Sequence, residues 1–347
     1  MPVAFPLHFC IEDLPKPLLC VPLVVQWLWL AARYRSLTLP SAVNPAIPTG
    51  GLAGESKCDC LGQIGAAFGT HVAAWRRVAP GEDVLACRRL AGLAYPLIAK
   101  PDIGWCGYGV RRIRSDSELL AYQAAFPAGA SFMVQRLVVA PNEAGLFYVR
   151  MPSDSSGRLV AVTVRHAPCV TGDGRLRLGA LVARDPRLRR HRSSYAQSLG
   201  AAALERVPRA GEVVTLTTIA SLRIGARYED ASACITETLS RRIDAIARSM
   251  PEFHVGRFDV RFESMSALRD GVFEIIEVNG AGSEAIHFWD PALPLGDAFA
   301  GVFAKQRMLF EIGNEMCRKG HRPVGMVALA RAWLAQQRLI SRYPAWN

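Results

Sequence analysis

The sequence predicts an α+β protein of two lobes, preceded by an atypical and partly helical N-terminal segment. Two observations support this class. Strand-like apolar runs are mixed with separated helical stretches, and residues 253–262 and 271–280 read as one antiparallel strand pair. The 347 residues are enough for two or three domains, and a hydrophobic content of 50% excludes disordered and fibrous chains.

Composition limits the partners and the compartment. Lys and Arg number 41 against 30 Asp and Glu, and the resulting charge of +11 favours anionic ligands such as nucleotides, acidic substrates or lipid headgroups. The nine cysteines are odd in number and scattered, which argues against a disulfide framework and favours a cytoplasmic protein. The Arg-rich residues 175–192 match no nucleic-acid-binding motif, so we expect a solvated helix or flap and no nucleic-acid partner.

The N-terminal segment contains an apolar run at residues 18–32 that two arginines end. The run is shorter than a bilayer span and contains Pro22, so it predicts a helix that does not cross a membrane. One interpretation, which we favour, buries this helix in the protein or in a homodimer interface. The other places it peripherally on the inner face of the membrane, with Trp27 and Trp29 at headgroup level.

The remaining elements follow from periodicity and turn residues. Residues 36–56 are rich in turn residues, and Ser56 is suited to cap a helix over 57–68. We predict strands at 95–100, 110–114, 131–138, 144–152, 157–168, 253–262 and 271–280, and helices at 85–91, 115–126, 231–249 and most of 295–339. These elements divide the chain into an N-terminal segment, a small lobe, a large lobe and a C-terminal helical segment, at residues 1–90, 91–140, 141–292 and 293–347.

A glycine-rich loop follows the strand that ends at Lys100. The strand holds the Lys100 ammonium in a fixed place. Glycines 104, 107 and 109 let the backbone approach a ligand closely and present N–H donors to phosphate oxygens. The loop matches neither G-x-x-x-x-G-K-[ST] nor G-x-G-x-x-G, so on its own it is also compatible with a plain hairpin.

The predicted strand pair carries the strongest constellation. Arg257 and Asp259 lie two residues apart in one strand, as do Glu277 and Asn279 in the other, so each pair shares a face. Two carboxylates and an amide oxygen suit Mg²⁺ bridging nucleotide phosphates, and Arg257 could stabilise a phosphoryl oxygen or an oxyanion. A surface hairpin with ordinary ion pairs is less favoured, because Glu277 sits in an apolar run where an unpaired charge is expensive.

Together these motifs resemble the ATP-grasp superfamily over residues 90–290, in the order found in D-alanine–D-alanine ligases and carboxylate–amine ligase-like proteins. YPLIAKPDIGWCGYGV resembles its strand, lysine and flexible glycine loop, and FMVQRLV resembles its adenine hinge. GRFDVRF with IIEVNGAGSE resembles its metal-binding strands. The resemblance implies a two-lobed ATP-grasp fold of antiparallel sheets with helices. The first 90 residues depart from it, since they lack a clear βαβ pattern.

The resemblance also implies roles for individual residues. The ATP-binding residues would be Lys100, Gly104, Gly107, Gly109, the hinge residues Gln135, Arg136, Leu137 and Val138, and the ribose-binding Glu143. Mg²⁺, or Mn²⁺ in its place, would be held by Asp259, Glu277 and Asn279. The catalytic residues would be Arg257 and Arg150, and Ser283 would contact substrate. The basic residue of the large-lobe strand is either Arg165 or His166.

The segment TGGLAGESK, residues 49–57, is a candidate for the acceptor site. Its glycines predict a mobile loop that opens a helix at Ser56. A helix N-terminus and Lys57 favour an anion, and Glu55 could receive a substrate amine. A plain capped helix entry explains the same residues equally well.

The predicted function is an ATP-dependent ligase that joins a small-molecule carboxylate to an amine through an acyl phosphate, forming an amide or peptide bond. One alternative is a carboxylate or headgroup kinase on the same fold, without an amine acceptor. The other is a non-catalytic nucleotide-binding protein.

Overall fold

The computed structural model describes residues 10–345, without the side chains of Asp13 and Lys16. The first nine residues of the predicted N-terminal segment and the last two of the C-terminal segment lie outside this part of the chain. The described residues form helices and antiparallel sheets, which confirms the predicted α+β class.

The helices are, in chain order, α1 (Lys16–Arg33), α2 (Lys57–Gly62), α3 (Val84–Leu90), α4 (Asp116–Ala125), α5 (Leu178–Arg184), α6 (Arg192–Leu199), α7 (Ala201–Glu205), α8 (Glu237–Ser249), α9 (Met265–Arg269), α10 (Leu295–Arg318) and α11 (Met326–Ile340). The strands are β1 (Trp75–Val78), β2 (Leu97–Pro101), β3 (Arg111–Ile113), β4 (Phe132–Arg136), β5 (Asn142–Val149), β6 (Arg158–His166), β7 (Cys169–Thr171), β8 (Val213–Thr215), β9 (Arg227–Asp230), β10 (Val255–Phe262) and β11 (Glu274–Asn279). The helix predicted over 57–68 ends early, because Gly62 and Gly65 are poor helix residues. The connection between β10 and β11 contains a helix, α9, in place of the predicted short loop.

The described chain divides into two compact units. The first comprises residues 10–73, 138–164 and 228–338, and the second comprises residues 74–137, 165–227 and 339–345. These limits differ from the predicted segments, because residues 75–78 form β1 and pair with β4 of the second unit.

The second unit contains a four-stranded sheet in the order β1-β4-β2-β3. On one of its faces Leu97, Ala99 and Val134 are fully buried and pack with residues of α3 and α4. Strand alternation places Lys100 and Gln135 on the opposite face, away from that core. The unit also contains a two-stranded antiparallel sheet of β7 and β8, whose apolar residues pack with α5 and α6.

A five-stranded sheet in the order β11-β10-β5-β6-β9 lies largely in the first unit. Phe147, Val149 and Val255 on one face pack with buried residues of α10. The opposite face contacts α8, where the Tyr148 hydroxyl donates to Asp244 Oδ1 at 2.7 Å. Helices therefore pack on both faces of the sheet.

Asn44 attaches the N-terminal segment to this sheet from a fully buried position. Its Nδ2 donates to the carbonyl oxygens of Val255 at 2.8 Å and Gly50 at 3.2 Å. Its Oδ1 accepts from the N–H groups of His254 at 2.8 Å and Val255 at 3.1 Å. Every donor and acceptor of the side chain is used, so its burial leaves no unpaired polar group.

Two glycine-rich turns then pack backbone against backbone. The Ala281 N–H donates to the Gly50 carbonyl at 3.0 Å, and the Gly282 N–H donates to the Gly51 carbonyl at 3.0 Å. A Cβ on Gly51 would lie 2.6 Å from the Cα of Gly280, and Gly51 has a φ of +85°, which favours glycine. The loop that the sequence predicts to be mobile is thus held against the end of β11. We call this contact the glycine interlock.

Helix α1 packs one face and exposes the other. Gln26 Nε2 donates to the Phe303 carbonyl at 3.1 Å, the Trp27 ring meets Phe310 edge-on at 5.1 Å between centroids, and Leu30 is buried beside them. The favoured prediction of a buried helix is therefore right for this face alone. Trp27 lies on this buried face, whereas the membrane interpretation places it among lipid headgroups. Within residues 10–345 no helix is long and apolar enough to cross a bilayer.

We expect Gly51→Ala to lower the free energy of unfolding by more than about 2 kcal/mol, because it combines backbone strain with a steric clash. Gly54→Ala is the matched control. Gly54 has a φ of +71°, but the nearest neighbour of a Cβ there is the Ala332 Cβ at 3.7 Å. The control should cost about 1 kcal/mol. Urea unfolding measures both, and equal losses would contradict the close approach.

Candidate active site

Four polar residues lie on one face of the β10–β11 pair. Asp259 is directly opposite Glu277, and Arg257 is directly opposite Asn279. Directly opposite residues share a face of a sheet, as the spacing in the sequence predicts. The register therefore places two carboxylates, an amide and a guanidinium within reach of one another.

Arg257 and Asp259 form a bidentate ion pair. Arg257 Nε lies 2.7 Å from Asp259 Oδ1, and Nη2 lies 3.2 Å from Oδ2. Asn279 Nδ2 also donates to Asp259 Oδ2, at 3.3 Å. Arg257 Nη1 donates to the Glu284 carbonyl at 3.1 Å. Because Asp259 is buried, these partners are what make its charge tolerable.

Gly145 on β5 makes room for the Arg257 side chain. It is directly opposite Asp259, and a Cβ there would lie 2.8 Å from Arg257 Cδ and 2.9 Å from Ile286 Cδ1. Sequence reasoning missed this residue, because a glycine inside an apolar strand gives no sign of which long side chain crosses it.

The glycine interlock brings Glu55 and Lys57 to the same end of β11. Glu55 Oε2 accepts from the Gly280 N–H at 2.8 Å, and Lys57 Nζ lies 3.6 Å from Glu277 Oε1. Burial raises the pKa of Glu55 to about 7, against the lowering effect of the Gly280 hydrogen bond. Ser56 caps α2 as predicted, accepting from the Asp59 N–H at 3.0 Å. A capped helix entry and a charged cluster therefore coexist in this segment.

Lys305 on α10 is a further cation beside the cluster. Its Nζ donates to the Ser283 carbonyl, and the Ser283 hydroxyl donates to the Gly280 carbonyl at 2.6 Å. Burial lowers the pKa of Lys305 to about 8, while Glu284 opposes that shift. Sequence reasoning missed Lys305, since it comes from a helix outside every motif and only the fold brings it to Ser283.

In the second unit, Lys100 and Gln135 share a sheet face with two residues of β1. Lys100 and Arg77 are both direct partners of Met133, and Gln135 is the partner of Trp75. Arg77 Nε lies 3.5 Å from Asp102 Oδ2, so this face carries a second cation close to the strand of Lys100. The sequence analysis did not predict β1 and therefore missed Arg77.

The predicted phosphate loop contains two glycines whose positive φ angles favour glycine over other residues. Gly107 has a φ of +75° and Gly109 a φ of +70°, whereas Gly104 is not in the left-handed region. Arg223 Nε donates to the Cys106 carbonyl at 3.0 Å, and the Tyr122 hydroxyl donates to the Gly109 carbonyl at 2.9 Å. The loop is anchored at these points.

The predicted hinge, residues 135–138, leaves β4 and enters the first unit at Val138. Gln135 and Val138 are buried, and Arg136 is exposed. The Arg136 N–H donates to the Ala74 carbonyl at 2.8 Å, and Leu137 is the last residue of the segment 74–137 of the second unit.

Two further predicted residues have partners of their own. Glu143 is buried on β5 and lies 3.0 Å from Arg261 Nη2 on the neighbouring strand. Arg150 follows β5, and its Nη2 donates to the Phe253 carbonyl at 3.2 Å. The contacts of Arg150 are thus with the residues before β10, and the structure does not bring it together with Arg257.

Strand alternation distinguishes the two basic candidates of β6. Thr163 is directly opposite Gly145, so it shares the face of Asp259. Arg165, two residues further, keeps that face, and His166 takes the other.

The donor chemistry of the predicted metal residues fits Mg²⁺. Asp259, Glu277 and Asn279 offer hard oxygens, and Mg²⁺ in nucleotide sites takes one or two carboxylates together with phosphate oxygens. In the described part of the chain no group of three or more His, Cys, Asp and Glu could hold a metal ion. The predicted set has only two carboxylates and completes its three donors with an amide.

Comparison with known proteins finds matches among solved structures alone, since no protein-family model and no curated protein matches. The D-alanine–D-alanine ligase from Bacillus anthracis is 14% identical, with a TM-score of 0.46, over 80% of this chain and 72% of that one. The VanG D-Ala:D-Ser ligase from Enterococcus faecalis is 14% identical, with a TM-score of 0.43, over 76% and 64%. A bifunctional glutathione synthetase from Pasteurella multocida is 15% identical, with a TM-score of 0.38, over 72% of this chain and 36% of that one.

These identities and TM-scores are low, and the chain spans about a third of the glutathione synthetase. All three TM-scores are below 0.5, so both the fold and the reaction must be argued from the residues of this chain. The three solved structures are ligases or synthetases, as are the proteins that the sequence motifs resemble.

Proposed function

We propose that this chain is an ATP-dependent carboxylate–amine ligase. The observation that carries the proposal is the polar face of the β10–β11 pair, where Asp259 is held by Arg257 and Glu277 is held by Lys57. An ordinary surface hairpin would leave such carboxylates in water, whereas here their charges are kept at fixed positions by matched cations. Fixed charge of this kind is what phosphoryl transfer requires of a protein.

The first step activates the acid. A carboxylate oxygen attacks the γ-phosphorus of ATP, the new O–P bond replaces the bond to ADP, and an acyl phosphate forms. Lys100 would bind the nucleotide phosphates together with the 104–109 loop, and Arg77 adds a second positive charge to that sheet face. Arg257 would stabilise the transferring phosphoryl oxygens.

The other predicted contacts complete nucleotide binding. Backbone groups of residues 135–138 would read the adenine edge, and Glu143 would bind the ribose. Mg²⁺ would be held by Asp259, Glu277 and Asn279, and when bound it would neutralise phosphate charge.

The second step forms the amide. The amine nitrogen attacks the acyl carbon, the C–O bond to phosphate breaks, and inorganic phosphate leaves. Glu55 would accept the proton that the amine loses, and a carboxyl with a pKa of about 7 is suited to that task. The place of Glu55, held by Gly280 beside the metal residues, favours the ligase over a kinase that lacks an amine acceptor.

A phosphate-release assay with panels of acids and amines separates the candidate functions. The ligase releases phosphate only when ATP, an acid and an amine are all present. A kinase makes ADP with the acid alone and accumulates an acyl phosphate that hydroxylamine traps as a hydroxamate. Nucleotide binding without turnover across the panel would contradict an enzymatic role.

Lys100→Ala should weaken ATP binding at least about tenfold, which is about 1.4 kcal/mol, because it removes the ammonium that faces the phosphates. Isothermal titration calorimetry measures the affinity. Lys319→Ala is the control, since Lys319 caps the end of α10 and has no part in the proposed nucleotide site. Wild-type affinity in the Lys100 variant would refute the assignment of the phosphate loop.

Glu277→Gln should reduce turnover by about 10²-fold or more in a folded protein, because it removes one charge with little change of volume. Glu274→Gln on the same strand is the matched control. Glu274 lies beyond the bulge of the β10–β11 pair, opposite Arg261. Steady-state kinetics with Mg²⁺ should show near wild-type turnover for the control, and unaltered turnover in both variants would mean that the strand pair is purely structural.

A further inference from the structure

Helix α1 presents a continuous apolar face that no part of the first unit within residues 10–338 covers. Its exposed large residues recur every three or four positions, and they are Leu18, Val21, Val24, Val25, Leu28 and Trp29. Val25 is 61% exposed and Trp29 is 54% exposed, whereas Leu30 on the packed face is 2% exposed. A helix that is apolar all round needs cover on both faces, and this one has a protein partner on one.

The charges at the C-terminal end of this face are positive. Arg33 follows the apolar residues, and its guanidinium lies 5.7 Å from the centre of the Trp29 ring. Arg35 is also exposed just beyond the helix. Between Leu14 and Gly54 the chain contains no Asp or Glu. A surface that complements this face is therefore apolar in its middle and negative at its edge.

We propose that the exposed face of α1 binds the surface of an anionic lipid bilayer, with the helix lying in the plane of the interface. The apolar side chains would enter the boundary of the acyl chains, and Trp29 with Arg33 would sit among the headgroups. The opposite face stays on α10 through Trp27 and Leu30.

A second copy of this chain would cover the face less well in a parallel pair, because the two Arg33 ends would meet with no acidic residue of the helix between them.

The test is cosedimentation of the full chain with vesicles of phosphatidylcholine alone and of phosphatidylcholine mixed with phosphatidylglycerol. We expect binding at least about tenfold stronger to the anionic vesicles and weakened by added salt. Trp29→Glu should reduce that binding at least about tenfold and leave the thermal unfolding midpoint unchanged. Val21→Glu, two turns earlier, is the second variant if the first does not fold.

Trp333→Glu is the matched control, because Trp333 on α11 is 53% exposed, almost as much as Trp29. It should bind vesicles like the wild type. Equal losses in the two tryptophan variants would overturn the assignment to α1. A wild-type chain that ignores anionic vesicles would overturn the proposal. So would a dimer in sedimentation velocity that Trp29→Glu dissociates without any vesicle binding, because it would show that a second copy covers the face.

Discussion

The glycine interlock is the constraint on which the rest of the first unit depends. Gly51 and Gly280 approach so closely that a Cβ on Gly51 would lie 2.6 Å from the Cα of Gly280, and a Cβ on Gly280 would lie 2.9 Å from the Cα of Gly51, so the contact requires glycine at both positions. Asn44 fixes the incoming chain to β10, and the interlock then fixes the outgoing chain to the end of β11. These two contacts place Glu55, and Lys57 follows it as the first residue of α2.

The consequence is a balanced set of charges. Asp259 and Glu277 face one another on adjacent strands, and each has its own cation, Arg257 or Lys57. Two carboxylates directly opposite one another would repel without such partners. Gly145 makes the pairing of Arg257 with Asp259 possible, because the Arg257 side chain crosses β5 where Gly145 has no side chain. Charge pairing and the absence of a side chain at Gly145 together allow these charged residues to share one face of the sheet.

The sequence predicts a strand well where the two-residue alternation of its side chains agrees with the chemistry of its polar residues. The spacing of Arg257 with Asp259 and of Glu277 with Asn279 indicates the shared face before any register is known. Contacts across long stretches of chain are beyond such reasoning: the Glu55–Gly280 hydrogen bond spans 225 positions, and Lys305 reaches Ser283 from a helix. The strand β1 is short and mostly half-buried, so its pattern carries little signal and Arg77 was missed with it.

Helix α1 shows a related limit of periodicity. Apolar residues surround the whole helix, so no hydrophobic stripe in the sequence tells Trp27 from Trp29, and only the contact with α10 separates them. The segment that carries α1 continues through Asn44 into the interlock, so one stretch of chain supplies both the exposed face and the candidate acceptor residues. The two roles are nevertheless physically separate. Trp29 acts through exposed apolar surface and Glu55 through a hydrogen bond to Gly280, so changing one should leave the other's readout intact.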